Sequence, residues 1–306
     1  MKRIFLLFLA LSALTASADN ASWLRYPSIS PDGNTVAFSY KGDIYIVNSE
    51  GGEARQLTSN PAYDYSPIWS PDGNTLAFAS DRYGNFDIFT IPVTGGVPFR
   101  VTTHSAKETP WTFTPDGKRL LFTARIQDPA ESALFPKGTM TELYSVSING
   151  GRYEQVLATP AEEVSFIGEN GSFVYQDCKG GENIWRKHHT SSITRDIWLY
   201  DGTRHIKLTS FEGEDRSPRV SSDGSTVYFM SERDGSFNIY SFALNNPADV
   251  SRVTSHKTHP VRFLTVSDND ILCYGYDGDI YIKRGKSASK KLNITVRSDK
   301  NDDNLA

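Results

Sequence analysis

Cysteine is scarce in this chain of 306 residues: Cys178 and Cys273 are the only two. Charge is nearly balanced at a net −4, too small to argue for nucleic acid or an anionic membrane as a partner. Beyond the first twenty residues no window sustains the apolar period of a helix. The one apolar run, Ile4 to Leu14, is too short to span a bilayer comfortably. Catalytic phrases are missing too. There is no Gly-x-Ser-x-Gly elbow, no His-Glu-x-x-His and no phosphate loop.

What is present is a repeat. Ser30-Pro31-Asp32-Gly33 and Ser70-Pro71-Asp72-Gly73 are each followed by a short β-prone run ending Ala-Phe. Thr114-Pro115-Asp116-Gly117 and Ser221-Ser222-Asp223-Gly224 continue the series. Two worn copies lie at Glu169-Asn170-Gly171 and Ser267-Asp268-Asn269-Asp270. With Gly33, Gly73, Gly117, Gly171, Gly224 and Asn269 as markers, the period is roughly 40–55 residues, the scale of a four-stranded propeller blade. Each unit reads strand, Asp-Gly turn, strand, second turn, strand, often a Gly-Gly turn, strand. These observations predict an all-β, six-bladed β-propeller with four antiparallel strands per blade. A β-sandwich or barrel is the competing architecture.

The start reads as a targeting segment over residues 1–18: Lys2-Arg3, the apolar run, then Ala16-Ser17-Ala18 as a cleavage site. That predicts a secreted or periplasmic mature chain with no membrane attachment after cleavage. The propeller is expected over residues 19–296 and a polar linker or tail over 297–306. The two cysteines fall in blades 4 and 6, with a blade between them, so two free, mostly buried thiols are expected.

Strand counting leaves no spare strand at either end. The ring is therefore expected to close by packing of blade 1 on blade 6, with no strand-swapped closure. The same counting puts the Asp-Gly and Gly-Gly turns on one face. The turns between second and third strands lie on the other, with the blade-to-blade linkers. Two of those turns are enlarged: Arg125 to Met140 in blade 3 and Lys179 to Arg195 in blade 4. Long loops carry function disproportionately. On that face the linkers supply candidates for the channel mouth: Arg25, Asp64, Lys107, Glu108, Glu162, Asp215, Arg216 and His259. The blade 4 insertion adds Arg186, His188, His189 and Arg195. Mixed charges suit polar, peptide-like or sugar-like ligands, and solvated loops remain the bland alternative. His188 and His189 are adjacent and would point apart on a strand, so no metal site is expected there. Asp81-Arg82-Tyr83-Gly84-Asn85 and Glu232-Arg233-Asp234-Gly235-Ser236 are read as turn chemistry rather than calcium loops. Trp69, Trp111 and Trp198 are read as blade core. No cofactor and no catalytic residue is assigned.

The repeat resembles the TolB-type and WD-repeat-like propellers of bacterial envelopes, a pattern shared with prolyl oligopeptidase-type propellers. Two segments narrow the resemblance. Trp23-Leu24-Arg25-Tyr26-Pro27 with Lys41-Gly42-Asp43-Ile44-Tyr45 is similar to the opening of tricorn-type serine peptidases. Tyr175-Gln176-Asp177-Cys178-Lys179-Gly180, with Trp185-Arg186-Lys187-His188-His189 and Thr194-Arg195-Asp196-Ile197-Trp198, resembles that family's fourth blade. The resemblance implies a first, non-catalytic domain that guides or filters peptides towards a catalytic core. Its partners would be peptides or unfolded segments and the other domains or subunits of the peptidase. A free-standing interaction propeller and an enzyme built on the propeller face stay open as alternatives.

Overall fold

The Ser-x-Asp-Gly phrase folds as a self-contained turn. The Ser30 hydroxyl donates to the Asp32 carboxylate and accepts the Thr35 N–H at 2.9 Å. The same carboxylate accepts the Asn34 N–H at 3.0 Å. Side chains that bond their own backbone in this way define a turn without help from the rest of the fold. Ser70–Asp72, Thr114–Asp116 and Ser221–Asp223 repeat the hydroxyl-to-carboxylate bond. Gly33 sits at φ 75°, and a Cβ there would lie 2.7 Å from Ile271 Cδ1. The positive φ favours glycine, and a Cβ would also have to push aside the end of the Ile271 side chain. In the sixth copy Asp270, at φ 55°, donates its N–H to the Ser267 carbonyl and occupies the glycine's place. The phase marker there is Asp270, one residue beyond Asn269.

These turns belong to a computed structural model that describes residues 21–126, 140–180, 185, 186 and 188–297. Blade 1 comprises β1 (Arg25–Ile29), β2 (Thr35–Tyr40), β3 (Asp43–Asn48) and β4 (Gly52–Gln56). Blade 2 comprises β5 (Asp64–Trp69), β6 (Thr75–Ser80), β7 (Asp87–Pro92) and β8 (Phe99–Arg100). Blade 3 comprises β9 (Thr109–Phe113), β10 (Arg119–Ala124), β11 (Glu142–Ser147) and β12 (Glu154–Leu157). Blade 4 comprises β13 (Ala161–Phe166), β14 (Phe173–Asp177), β15 (Ile197–Tyr200) and β16 (His205–Lys207). Blade 5 comprises β17 (Asp215–Val220), β18 (Thr226–Ser231), β19 (Asn238–Ala243) and β20 (Asn246–Arg252). Blade 6 comprises β21 (Arg262–Val266), β22 (Ile271–Tyr276), β23 (Asp279–Arg284) and β24 (Lys290–Lys291), and β25 (Ile294–Val296) follows. Six sheets of consecutive antiparallel strands result, so the expected six-bladed propeller is the observed fold. No helix among the described residues is long and apolar enough to cross a membrane.

The first strand of every blade lies innermost. β1, β5, β9, β13, β17 and β21 touch their neighbours in cyclic order, and β21 returns to β1. Each inner strand carries a β-bulge against the second strand of its blade. In five blades two inner-strand residues straddle one aromatic, such as Tyr26-Pro27 opposite Phe38 and Phe263-Leu264 opposite Tyr274. Those aromatics, the last residues of the Ala-Phe signature, are fully buried: Phe38, Phe78, Tyr175, Phe229 and Tyr274. The leading bulge residues Tyr26, Ser66, Glu163, Ser217 and Phe263 all take positive φ. Three of them precede proline, which normally favours extended backbone. Such backbone persists where packing on both sides imposes it, and here it turns alternate side chains towards the axis.

The outer part of the blade has its own fastener. Thr58, Thr102, Thr209 and Thr254 each accept a third-strand N–H, from Ile44, Ile88, Ile197 and Ile239, at 2.7–3.0 Å. The hydroxyl caps a backbone donor that the short fourth strand leaves unpaired.

Ring closure follows the expectation in one respect and extends it in another. Every blade supplies its own four strands, and a buried apolar cluster joins blade 1 to blade 6 through Val36, Phe38, Cys273, Ile280 and Ile282. Ile294–Val296, at the end of the expected propeller range, crosses from blade 6 to blade 1. It pairs parallel with Gly52–Ala54 as a fifth strand. A spare strand therefore does exist at the C-terminal end. Gly51 permits the crossing, since a Cβ there would lie 2.7 Å from the Asn293 carbonyl oxygen. Both cysteines are buried and unbridged. Trp69, Trp111 and Trp198 pack on the cores between blades, as expected. The targeting segment, residues 127–139 and 298–306, and Glu182, Asn183 and Lys187 lie outside the described residues.

Candidate functional site

The insertion face sorts the expected charges into two groups. The first is internal. Asp64 and Asp215, both fully buried, each accept at both carboxylate oxygens from one guanidinium nitrogen, that of Arg82 (3.0 and 2.8 Å) and that of Arg233 (3.2 and 3.2 Å). Each arginine also lies over blade aromatics: Arg82 over Phe89 at 4.6 Å, Arg233 over Tyr240 at 5.1 Å. Neither aspartate is available to a ligand. Glu108 holds the matching place in blade 3 and is also fully buried, but Ile126 stands where the arginine would be. Its carboxylate accepts the Thr102 hydroxyl at 2.9 Å and faces Asp87, which Arg100 holds at 2.7 Å. Burial pushes Glu108 up to about 8, and the Asp87 charge adds to that.

Blades 4 and 5 form a paired network beside the axis. Buried Glu214 accepts from the Arg216 guanidinium at 2.8 Å and from the Arg195 N–H at 3.1 Å. Burial alone would raise its carboxyl, but Arg216 and Arg195 together outweigh it and hold it below the usual range. His189, also buried, places Nδ1 3.7 Å from Glu214. Arg195 lies 3.8 Å from Glu162, which also accepts from Gln176 at 3.1 Å. Exposed His188 donates its N–H to Glu232 at 2.6 Å. His259 and Asp277 form a half-exposed pair at 3.2 Å. Arg186 is exposed. No group of three His, Cys, Asp or Glu side chains converges as a metal site among the described residues.

The second group was not legible as a unit. Trp185, carried by blade 4, reaches across the ring. Its ring lies 6.1 Å from that of Phe263 in blade 6 and beneath Arg262 (5.4 Å) and Arg25 of blade 1 (5.6 Å). From Phe263 the rings continue to Tyr26 (4.5 Å), Tyr65 (5.3 Å) and Phe86 (5.0 Å). Lys107 covers the end, 5.4 Å from Tyr65 and 5.1 Å from Phe86. Burial pushes the Tyr26 and Tyr65 phenols up to about 12, so both stay neutral. Burial, with the neighbouring Arg216, pulls Arg262 down to about 10, where it still carries its charge at neutral pH. Of this arc, Arg25 and Lys107 were expected at the mouth. Sequence reasoning did not single out Tyr26, Tyr65, Phe86, Phe263 and Trp185 as members of one arc. The one available signal was an aromatic at the bulge of blades 1 and 6 and just before it in blade 2.

Ring, bulges and a built-up axial mouth define a six-bladed β-propeller with one plain turn face and one elaborated face. A model of the tricorn protease N-terminal beta propeller domain matches residues 21–289. The chain belongs to that family. The crystal structure of the tricorn protease superposes with a TM-score of 0.78 at 23% identity, covering 92% of this chain and 27% of that one. TolB from Acinetobacter baumannii gives 0.63 at 16% identity, covering 90% and 66%. The propeller domain of the trilobed protease from Pyrococcus furiosus, described as having an open velcro topology, gives 0.55 at 15%, covering 88% and 84%. By sequence, the Tol-Pal system protein TolB of Anaeromyxobacter dehalogenans is 43% identical over 44 residues, 13% of this chain and 10% of that protein. The chain thus spans about a quarter of the tricorn protease and matches about a tenth of the TolB sequence.

Proposed function

We propose that this chain is a non-catalytic, secreted or periplasmic propeller of a tricorn-like peptidase. It receives extended peptides at the elaborated face and guides them through the ring for proteolysis by a catalytic core. Family membership supports the first half of this reading. The continuous band of aromatic rings and cations at the axial mouth is the observation that carries the second. Apolar rings with a few charges at fixed places suit a chain of changing side chains, because they grip without reading one residue type.

Photo-crosslinking tests it. An unstructured peptide bearing a photoreactive group is expected to label Trp185, Phe263 or Tyr26, and labelling confined to the turn face would overturn the reading. N-terminal sequencing of the exported protein is expected to begin near Asp19. A second reading, a TolB-like interaction propeller of the cell envelope, is favoured by the TolB similarities. It predicts recovery of a folded envelope partner and no peptide labelling at the mouth.

A further inference from the structure

We infer that the arc running from blade 6 through blades 1 and 2 to the linker that enters blade 3 is a subsite for the acidic side chains of an extended peptide. This rests on the peptide-binding reading above and adds a charge preference to it.

The cations of the elaborated face are not treated alike. In blades 4 and 5 the arginines are matched: Arg216 to Glu214, Arg219 to Glu163, Arg233 to Asp215. Along the arc, Arg25, Lys107 and Arg125 are exposed and have no carboxylate partner among the described residues. Asp64 and Glu108, the carboxylates that lead into blades 2 and 3, are committed elsewhere. Asp64 is closed on Arg82, and Glu108 is buried against Asp87 and Thr102. Burial, then the like charge of Arg125, pulls the Lys107 ammonium down from its ordinary value. An anion beside Lys107 would offset that like charge and make charge-assisted hydrogen bonds. Arg25 and Lys107 are also held over ring faces, so little side-chain freedom remains to be lost on binding.

A carboxylate beside aromatic surface is what an acidic peptide with aromatic or apolar neighbours offers. Single-stranded nucleic acid is the other anionic chain with flat groups, and it fits less well. The rings of the arc are tilted or edge-on to one another at 4.5–6.1 Å, so their faces are taken up by neighbours and cations. A base-stacking platform needs open faces.

The test uses the full chain and short peptides acetylated and amidated at their ends, so that only side chains carry charge. One alternates Asp with Tyr and Gly; the others replace Asp by Asn or by Lys. Fluorescence anisotropy is expected to show the Asp peptide binding about tenfold tighter than the Asn peptide. That margin should shrink as salt rises. Arg25→Gln, Lys107→Gln and Arg125→Gln, each shown folded by thermal unfolding, should remove most of the margin between the Asp and Asn peptides. Equal binding of all three peptides would overturn the charge preference and leave the peptide reading standing. No binding of any peptide would overturn both. Tighter binding of a single-stranded oligonucleotide would overturn the choice of ligand.

Discussion

Removing the guanidinium of Arg82 would leave Asp64 buried and without its counter-ion. An unpaired buried charge costs about 3–5 kcal/mol, whereas an apolar replacement of the whole pair is far milder. Arg82→Met should therefore lose about that much in urea unfolding, and Arg82→Met with Asp64→Leu should recover most of it. A loss under about 1 kcal/mol for the single variant would show the pair to be solvated. The pairing was legible in hindsight, because the arginine follows its aspartate by the same 18 positions in blades 2 and 5. Glu108 departs from that spacing and behaves differently. Its carboxyl is raised in the folded chain to about 8, so the fold keeps a proton that the unfolded chain loses near its ordinary value. Stability should fall as pH rises between those two values, by at most about 1.4 kcal/mol per unit. Glu108→Gln should flatten that slope and be more stable than the parent at pH 8. An unchanged slope would mean that Glu108 is ionised in the fold. Neither burial nor the missing arginine at Ile126 could be read from residue type alone.

At the scale of elements, the strand that crosses between blades is the informative one. β25 covers the outer edge of β4, and the Gly52 N–H donates to the Asn293 carbonyl at 2.8 Å. Ile294 is buried in the blade 1–blade 6 cluster. Ile294→Asp places a charge there and should cost about 2–4 kcal/mol. Hydrogen exchange should speed up first at Gly52 and neighbouring β4 amides. Unchanged exchange at Gly52 would mean that β25 is dispensable to the closure. The blades themselves were legible because turn, strand and turn are local, and each Ser-x-Asp-Gly copy holds its own bonds. The crossing was not. Leu292-Asn293-Ile294 has the same apolar pattern whether it ends blade 6 or starts a fifth strand in blade 1, and only the ring's geometry decides between them.

Over the whole molecule, the two faces use their charges differently. On the turn face, hydroxyl and backbone hydrogen bonds hold Asp32, Asp72, Asp116 and Asp223 below the usual carboxylate range, the last at about 2. Lowered carboxyls add stability above their unfolded value and lose it as pH falls through the folded one, so these turns should weaken between about pH 4 and pH 2. The mouth of the other face presents Arg25, Lys107 and Arg125, exposed and with no carboxylate partner among the described residues. A ligand that enters from the elaborated face should therefore be blind to the turns. Asp72→Ala should lower the melting temperature, because the Ser70 hydroxyl and Asn74 N–H lose their acceptor, and should leave peptide affinity unchanged. Arg25→Gln should do the reverse, holding the melting temperature and weakening the acidic peptide. If Asp72→Ala weakened binding as much as Arg25→Gln, the peptide would be reaching the turn face, and the division of labour between the faces would be wrong.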